Sequence, residues 1–181
     1  SEEEKVRRLK EELRRVIEKH KKDVKEIEDR LREVDDRHRR EVKKLIEELK
    51  KVLEDAKRRK REGKDMEKRL DELREIIKKL MRHAEKFNRE TNKKIEEEKR
   101  HLEEANKELE KEIRDLEREV KETKIDEEVA KRVKEIIEKV ERHITEVKKR
   151  AEELVEEVER HIRELKKRVE DLVEEIERDT K

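Results

Sequence analysis

Residues 6–56 read VRRLKEELRRVIEKHKKDVKEIEDRLREVDDRHRREVKKLIEELKKVLEDA. Within this stretch a stripe of apolar residues and two histidines runs through Val6, Leu9, Leu13, Val16, His20, Val24, Ile27, Leu31, Val34, His38, Val42, Leu45, Leu49, Val52 and Ala56. The steps between them run 3, 4, 3, 4, 4 and repeat, so every 18 residues hold five inward positions. That ratio, about 3.6 residues per inward position, is the period of a straight α-helix. A strict seven-residue repeat would wind helices into a left-handed supercoil, whereas this one keeps its stripe on one face without winding. The stretch predicts a single long, nearly straight helix.

Two further stretches carry the same stripe. The middle third has Met66, Leu70, Leu73, Ile77, Leu80, Ala84, Phe87, Thr91, Ile95, Glu98, Leu102, Ala105, Leu109, Ile113, Leu116 and Val120, with Thr91 and Glu98 as polar interruptions. The last third has Val129, Val133, Ile136, Val140, Ile144, Val147, Ala151, Leu154, Val158, Ile162, Leu165, Val169, Leu172 and Ile176, with an extra row at Ile137, Val155 and Val173. Of the 181 residues, 64% are charged and 28% hydrophobic, at a formal net charge of +1. Without spacing order such a composition reads as disorder; with it, the charged residues are the solvated faces of helices. No run of about 20 apolar residues is present for a membrane span. Nor is there a hydrophobic N-terminal stretch for a signal peptide, or a cysteine for a disulfide framework or a thiolate metal site. Proline is absent and glycine occurs once, so the punctuation of a sheet protein or a loop-rich enzyme is missing.

Capping chemistry sets the boundaries. Ser1 and Glu4 have the spacing of a capping box, in which the serine oxygen accepts from a first-turn amide and the glutamate reaches back. Gly63 supplies the left-handed conformation that ends a helix, and Asp65 an acceptor for the free amides that begin the next. Thr123, Lys124, Ile125 and Asp126, followed by Glu127 and Glu128, place an N-cap and two acids where a helix dipole favours them. Three helices are expected, over about 2–61, 66–122 and 127–179, in a single domain spanning 1–181. Connections this short make neighbours antiparallel. The expected fold is therefore all-α, an antiparallel up-down-up bundle of three long, nearly straight helices around one continuous core. Little apolar surface remains for a second buried face, which favours a monomer. A homo-oligomer would have to use the extra row of the third helix with Ile17, Ile46, Leu53, Ile76 and Met81, residues that equally serve to widen the stripe.

The 18-residue repeat, the near-equal helices, the alternating acids and bases and the absence of Pro, Cys, Trp and Tyr extend over the whole sequence. In these respects the chain resembles idealised de novo designed helical bundles, with no signature motif involved. The resemblance implies a synthetic structural scaffold without natural activity, needing no cofactor and no partner. It implies no native compartment, only a soluble, cytoplasmic protein when expressed. Spectrin-type repeats, which are shorter and carry core tryptophan, fit less well, as do BAR domains with their kinked helices and basic concave face.

Histidines are the one feature beyond a generic bundle. His20 and His38, His83 and His101, and His143 and His161 form one pair per helix, each pair 18 residues apart. In an antiparallel hairpin the two residue numbers found at one height have a constant total. His20 with His101 matches His38 with His83 in this respect, and His101 with His143 matches His83 with His161. Two layers of three imidazoles are expected, His20/His101/His143 and His38/His83/His161, level to within about one helical turn. Around the helix, at about 100° per residue, His20 and His38 sit mid-stripe, His143 and His161 about 60° away, and His83 and His101 about 85° away, where a side chain is half solvated. Neutral imidazoles donate from one nitrogen and accept at the other, so buried layers would build hydrogen-bond networks with nearby polar groups. The candidates that interrupt or flank the stripe are Thr91, Asn88, Asn106, Asp35 and Glu98. Burial disfavours a charged imidazole, which makes folding or assembly pH-responsive between roughly pH 4 and 6.5. The competing reading is an inert bundle or self-assembling building block whose boundary histidines are copied by the repeat.

Three histidines also suffice to bind zinc with one position open, so the two layers are a metal-site alternative, weakened by their unequal angles. Asp35-Asp36-Arg37-His38 and Glu98-Lys99-Arg100-His101 have the carboxylate-to-histidine spacing of di-iron bundles, but those sites need four helices with inward carboxylates. No serine or cysteine nucleophile constellation and no glycine-rich phosphate loop is present, so no catalytic residue and no enzyme is expected. The run Lys57-Arg58-Arg59-Lys60-Arg61 has the composition of a nucleic-acid or nuclear-import segment. Cations at a helix C-terminus are, however, what the dipole favours. Without an aromatic platform or excess charge, neither nucleic acid nor membrane is expected as a partner.

Overall fold

The computed structural model of the chain describes residues 2–63, 67–122 and 126–179. Three helices account for nearly all of them: α1 (Glu2–Glu62), α2 (Glu67–Glu122) and α3 (Glu127–Asp179), with no strand among the described residues. Residue 66, where the second helix is expected to begin, lies outside the described residues. Gly63 follows α1 with φ of 61°, a left-handed conformation that penalises any residue with a Cβ and that ends helices. Asp126 begins α3, its carbonyl accepting the first helical bond from the Ala130 amide at 2.9 Å. Glu127 and Glu128 fill the first turn of α3, and Arg59, Lys60 and Arg61 the last turn of α1, each opposing the partial charge of the helix end it occupies. The caps expected at Ser1, at Asp65 and over Thr123 to Ile125 lie outside the described residues.

Contacts divide the chain into two units, each built from part of every helix. Unit 1 comprises Ser1–Leu31 and Glu97–Glu156, and unit 2 comprises Arg32–Glu96 and Glu157–Lys181. In unit 1, Lys19 pairs with Glu108 and Arg30 with Glu98, both at 2.8 Å. The α2 number falls as the α1 number rises, so these helices run antiparallel. In unit 2, Asp35 pairs with His161, and Lys57 with Glu175 and Asp179. There the α3 number rises with that of α1, so these two run parallel. Both directions are those of an up-down-up bundle.

The apolar stripes meet in the core of each unit. In unit 1, Leu9 and Leu13 pack with Leu116, and Leu109 and Ile113 with Val133, Ile137, Val140 and Ile144. In unit 2, Val42, Leu45, Leu49, Val52 and Ala56 gather Leu73, Val169 and Ile176. Each aliphatic side chain enclosed in this way contributes about 1.5–3 kcal/mol, an upper figure because the unfolded chain is itself partly collapsed. The extra row is largely absorbed into these cores: Ile46, Leu53, Ile137 and Val155 are buried, while Ile76 remains 40% exposed. No described helix is long and apolar enough to cross a membrane.

Candidate functional site

The polar groups enclosed in unit 1 begin with His20, a mid-stripe residue of α1 that is 4% exposed. Its Nε2–H donates to Asn106 Oδ1 of α2 at 2.9 Å; an amide oxygen only accepts, so the proton sits on Nε2. His143 of α3 is half-buried, and its Nε2 is enclosed with no hydrogen-bond partner. Burial, reinforced by Lys21, holds this imidazole below the ordinary histidine value of 6.5; His20 and Arg150 act in the same direction and Glu146 against it. His101 of α2 turns outward. Its side chain is 52% exposed, with Nδ1 3.4 Å from Glu98 Oε2. Glu98 itself is buried and accepts from Arg30 Nε at 2.8 Å.

In unit 2, His38 is 1% exposed. It stacks on Phe87 with ring centroids 5.6 Å apart, and its Nε2–H donates to Asn88 Oδ1 at 2.9 Å. Its Nδ1 is buried without a partner. His161 of α3 has an Nδ1 that lies 2.9 Å from Arg39 Nη2 and 3.1 Å from Asp35 Oδ2. A guanidinium only donates and a carboxylate only accepts, so this nitrogen serves one of them at a time. With a proton on Nδ1 it donates to Asp35; without one it accepts from Arg39. Arg39 also reaches Asp35 Oδ2 directly at 3.4 Å, and Glu157 lies 3.9 Å from His161 Nε2. Asp35 is buried, and its Oδ1 has no partner. His83 of α2 is exposed.

Each expected layer of three imidazoles therefore keeps two inward members. His83 and His101 are each one residue before a stripe position, Ala84 and Leu102, and one residue is about 100° of rotation, enough to turn the ring to solvent. The α2 polar group beside His38 and His20 is instead the asparagine five residues on, Asn88 or Asn106. Thr91 is buried and donates its hydroxyl to the Phe87 carbonyl of its own helix at 2.9 Å. The sequence reading missed Phe87 as a stacking partner, and Arg30 and Arg39 as the cations beside the buried carboxylates. A signal for the asparagines was present. Asn88 and Asn106 repeat the 18-residue spacing of the histidines, and asparagine is a poor helix former among strong ones.

Among the described residues, no group of three or more His, Cys, Asp or Glu side chains is placed to hold a metal ion. One histidine of each trio faces away, so the three-histidine zinc alternative lacks its geometry. Part of the basic run at the end of α1 is engaged within the protein: Arg58 and Arg59 contact Asp55, and Lys57 contacts Glu175 and Asp179.

No protein-family model and no curated protein matches the sequence. In fold the chain is similar to a solved structure described as a "Computationally designed three helix bundle", with a TM-score of 0.63 and 22% identity over 99% of this chain and 93% of that one. The arrangement of α1, α2 and α3 is thus that of a three-helix bundle.

Proposed function

We propose that the protein is a designed structural scaffold without catalytic activity, whose inward histidines make its folding or assembly acid-sensitive. The fold it shares with a designed bundle and the strictness of the 18-residue repeat support the first part. The enclosed Nε2 of His143, which has no hydrogen-bond partner, carries the second; His20 and His38 are buried as well, each with one nitrogen committed to an asparagine. In His38 the other nitrogen is a buried lone pair without a donor.

Burial holds the His143 imidazole below the ordinary histidine value, helped by Lys21 and His20 of α1 and Arg150 of its own helix and opposed by Glu146. Its folded imidazole holds a proton less readily than the unfolded one, so below about pH 6.5 the unfolded chain takes up more protons than the folded chain. That contribution to stability is whole above about pH 6.5 and is lost as the pH falls toward the lower folded value. His161 stands apart, facing Asp35 and Arg39 of α1 and Glu157 of α3.

Circular dichroism in moderate urea and light scattering, followed from neutral pH down to about pH 4, test this reading on the parent and on a variant with His20, His38, His143 and His161 replaced by glutamine. The parent is expected to lose helix, or change mass, at a higher pH than the variant. Superimposable acid profiles overturn the reading.

A further inference from the structure

The α2 stripe of unit 2 is incompletely covered. Leu73 and Ile95 are each 2% exposed, but between them Ile77, Leu80, Met81, Ala84 and Phe87 are only half-buried. At this place all three helices line a cavity of about 440 Å³, formed by Leu45 of α1, Met81, Ala84 and Phe87 of α2, and Leu165 and Val169 of α3. The repeat shows its cause. Ala84 stands where the position 18 residues later holds Leu102, which is 7% exposed. Exchanging a leucine for an alanine leaves a void that packed helices close only in part. The Phe87 ring, stacked on His38, does not fill it.

Two amides stand at the edge of this cavity. Asn88 gives its oxygen to the His38 Nε2–H, which leaves its NH2 group to donate. Asn92 is exposed and, with Asn88 and Lys166, also lines an adjoining cavity of about 270 Å³. The charges at the rim oppose one another, Glu41, Glu85 and Glu170 against Arg89 and Lys166, so neither an anion nor a cation is favoured.

We propose that this cavity is a binding site for a small, flat, uncharged molecule of two fused rings carrying one hydroxyl. Small-molecule pockets run from about 300 to 1,000 Å³, and an apolar cavity of about 150 Å³ already admits benzene. Met81 and Phe87 supply the thioether and ring surfaces that favour aromatic contact. The amides of Asn88 and Asn92 meet the hydroxyl, as donor and acceptor.

Titration with 2-naphthol tests the proposal, by calorimetry and by the fluorescence of the probe, which no Trp or Tyr of this chain obscures. Saturable one-to-one binding in the micromolar range is expected for the parent, weakened about tenfold or more in Ala84→Leu, which fills the void. The thermal midpoint of Ala84→Leu is expected at or above that of the parent. Ala84→Val, a smaller step, is expected to weaken binding to an intermediate degree and takes the place of the leucine variant if that one fails to fold. Parent affinity weaker than about 1 mM, or undiminished binding in a folded Ala84→Leu or Ala84→Val, overturns the proposal.

Discussion

His143 and His161 occupy equivalent places on α3, one repeat apart, yet unit 1 sets cations around its imidazole and unit 2 sets a carboxylate against it. The difference comes from α1. The residues one repeat before Asp35 and Arg39 are Ile17 and Lys21, so where unit 2 offers His161 an acid and a base, the same two positions of unit 1 hold an aliphatic chain and a base. A helical repeat copies position; it does not copy environment. The chemistry of a polar layer is decided by the one or two residues that face it, and two units with almost the same stripe give their α3 histidines different polar neighbours. Their apolar parts differ as well: unit 1 buries Leu102 where unit 2 has Ala84 beside a cavity.

The packing difference gives the largest expected effect. Leu102→Ala would give unit 1 the small residue of unit 2, and a loss of about 2–5 kcal/mol is expected in urea denaturation. A loss below about 1 kcal/mol would mean that unit 1 is packed no better than unit 2. Next come the amides. Asn106→Ala and Asn88→Ala each leave a buried imidazole N–H unpaired, at about 1–3 kcal/mol, and similar losses in the two variants are expected because both bonds measure 2.9 Å. A large disparity would show that Phe87, stacked on His38, carries part of what is ascribed to Asn88.

A smaller effect separates the two α3 histidines. His143→Leu removes an enclosed nitrogen without a partner, so stability at neutral pH is expected to be unchanged or higher by about 1 kcal/mol. The loss below about pH 6.5 is expected to shrink, because the folded state no longer holds a group that resists protonation. Urea titrations at neutral pH and near pH 5 check both statements. An undiminished acid loss would place the sensitivity in other groups. The smallest effect is expected at the surface: Lys19 and Glu108 are both more than half exposed, so Glu108→Gln should give a slight destabilisation that added salt erases. A loss that persists in high salt would mean that this pair also fixes the register of α1 on α2.

Helix number was legible because an inward position every 3.6 residues and a lone glycine leave few alternatives. The azimuth of α2 was less legible. Its stripe is broad, with Ala84 and Phe87 or Leu102 and Ala105 as neighbouring members, and a broad stripe locates its own centre only to tens of degrees. His83 and His101 lie on the flank where that margin decides between core and solvent. Asn88 and Asn106 lie on the opposite flank, next to Phe87 and Ala105, and turn inward. The pairing of His161 with Asp35 and Arg39 involves side chains from two helices, and spacing along one helix carries no information about which groups it meets on another.

Gly63 has a consequence for chemical synthesis. Its φ of 61° is the mirror image of ordinary right-handed helical backbone, and so is the relaxed geometry of a D-amino acid. A D-alanine at this turn would therefore adopt the native bend as its preferred shape and would restrict the unfolded chain, where glycine leaves it free. A bend that strains an L-residue with a Cβ is, for the opposite enantiomer, a place to stiffen the backbone.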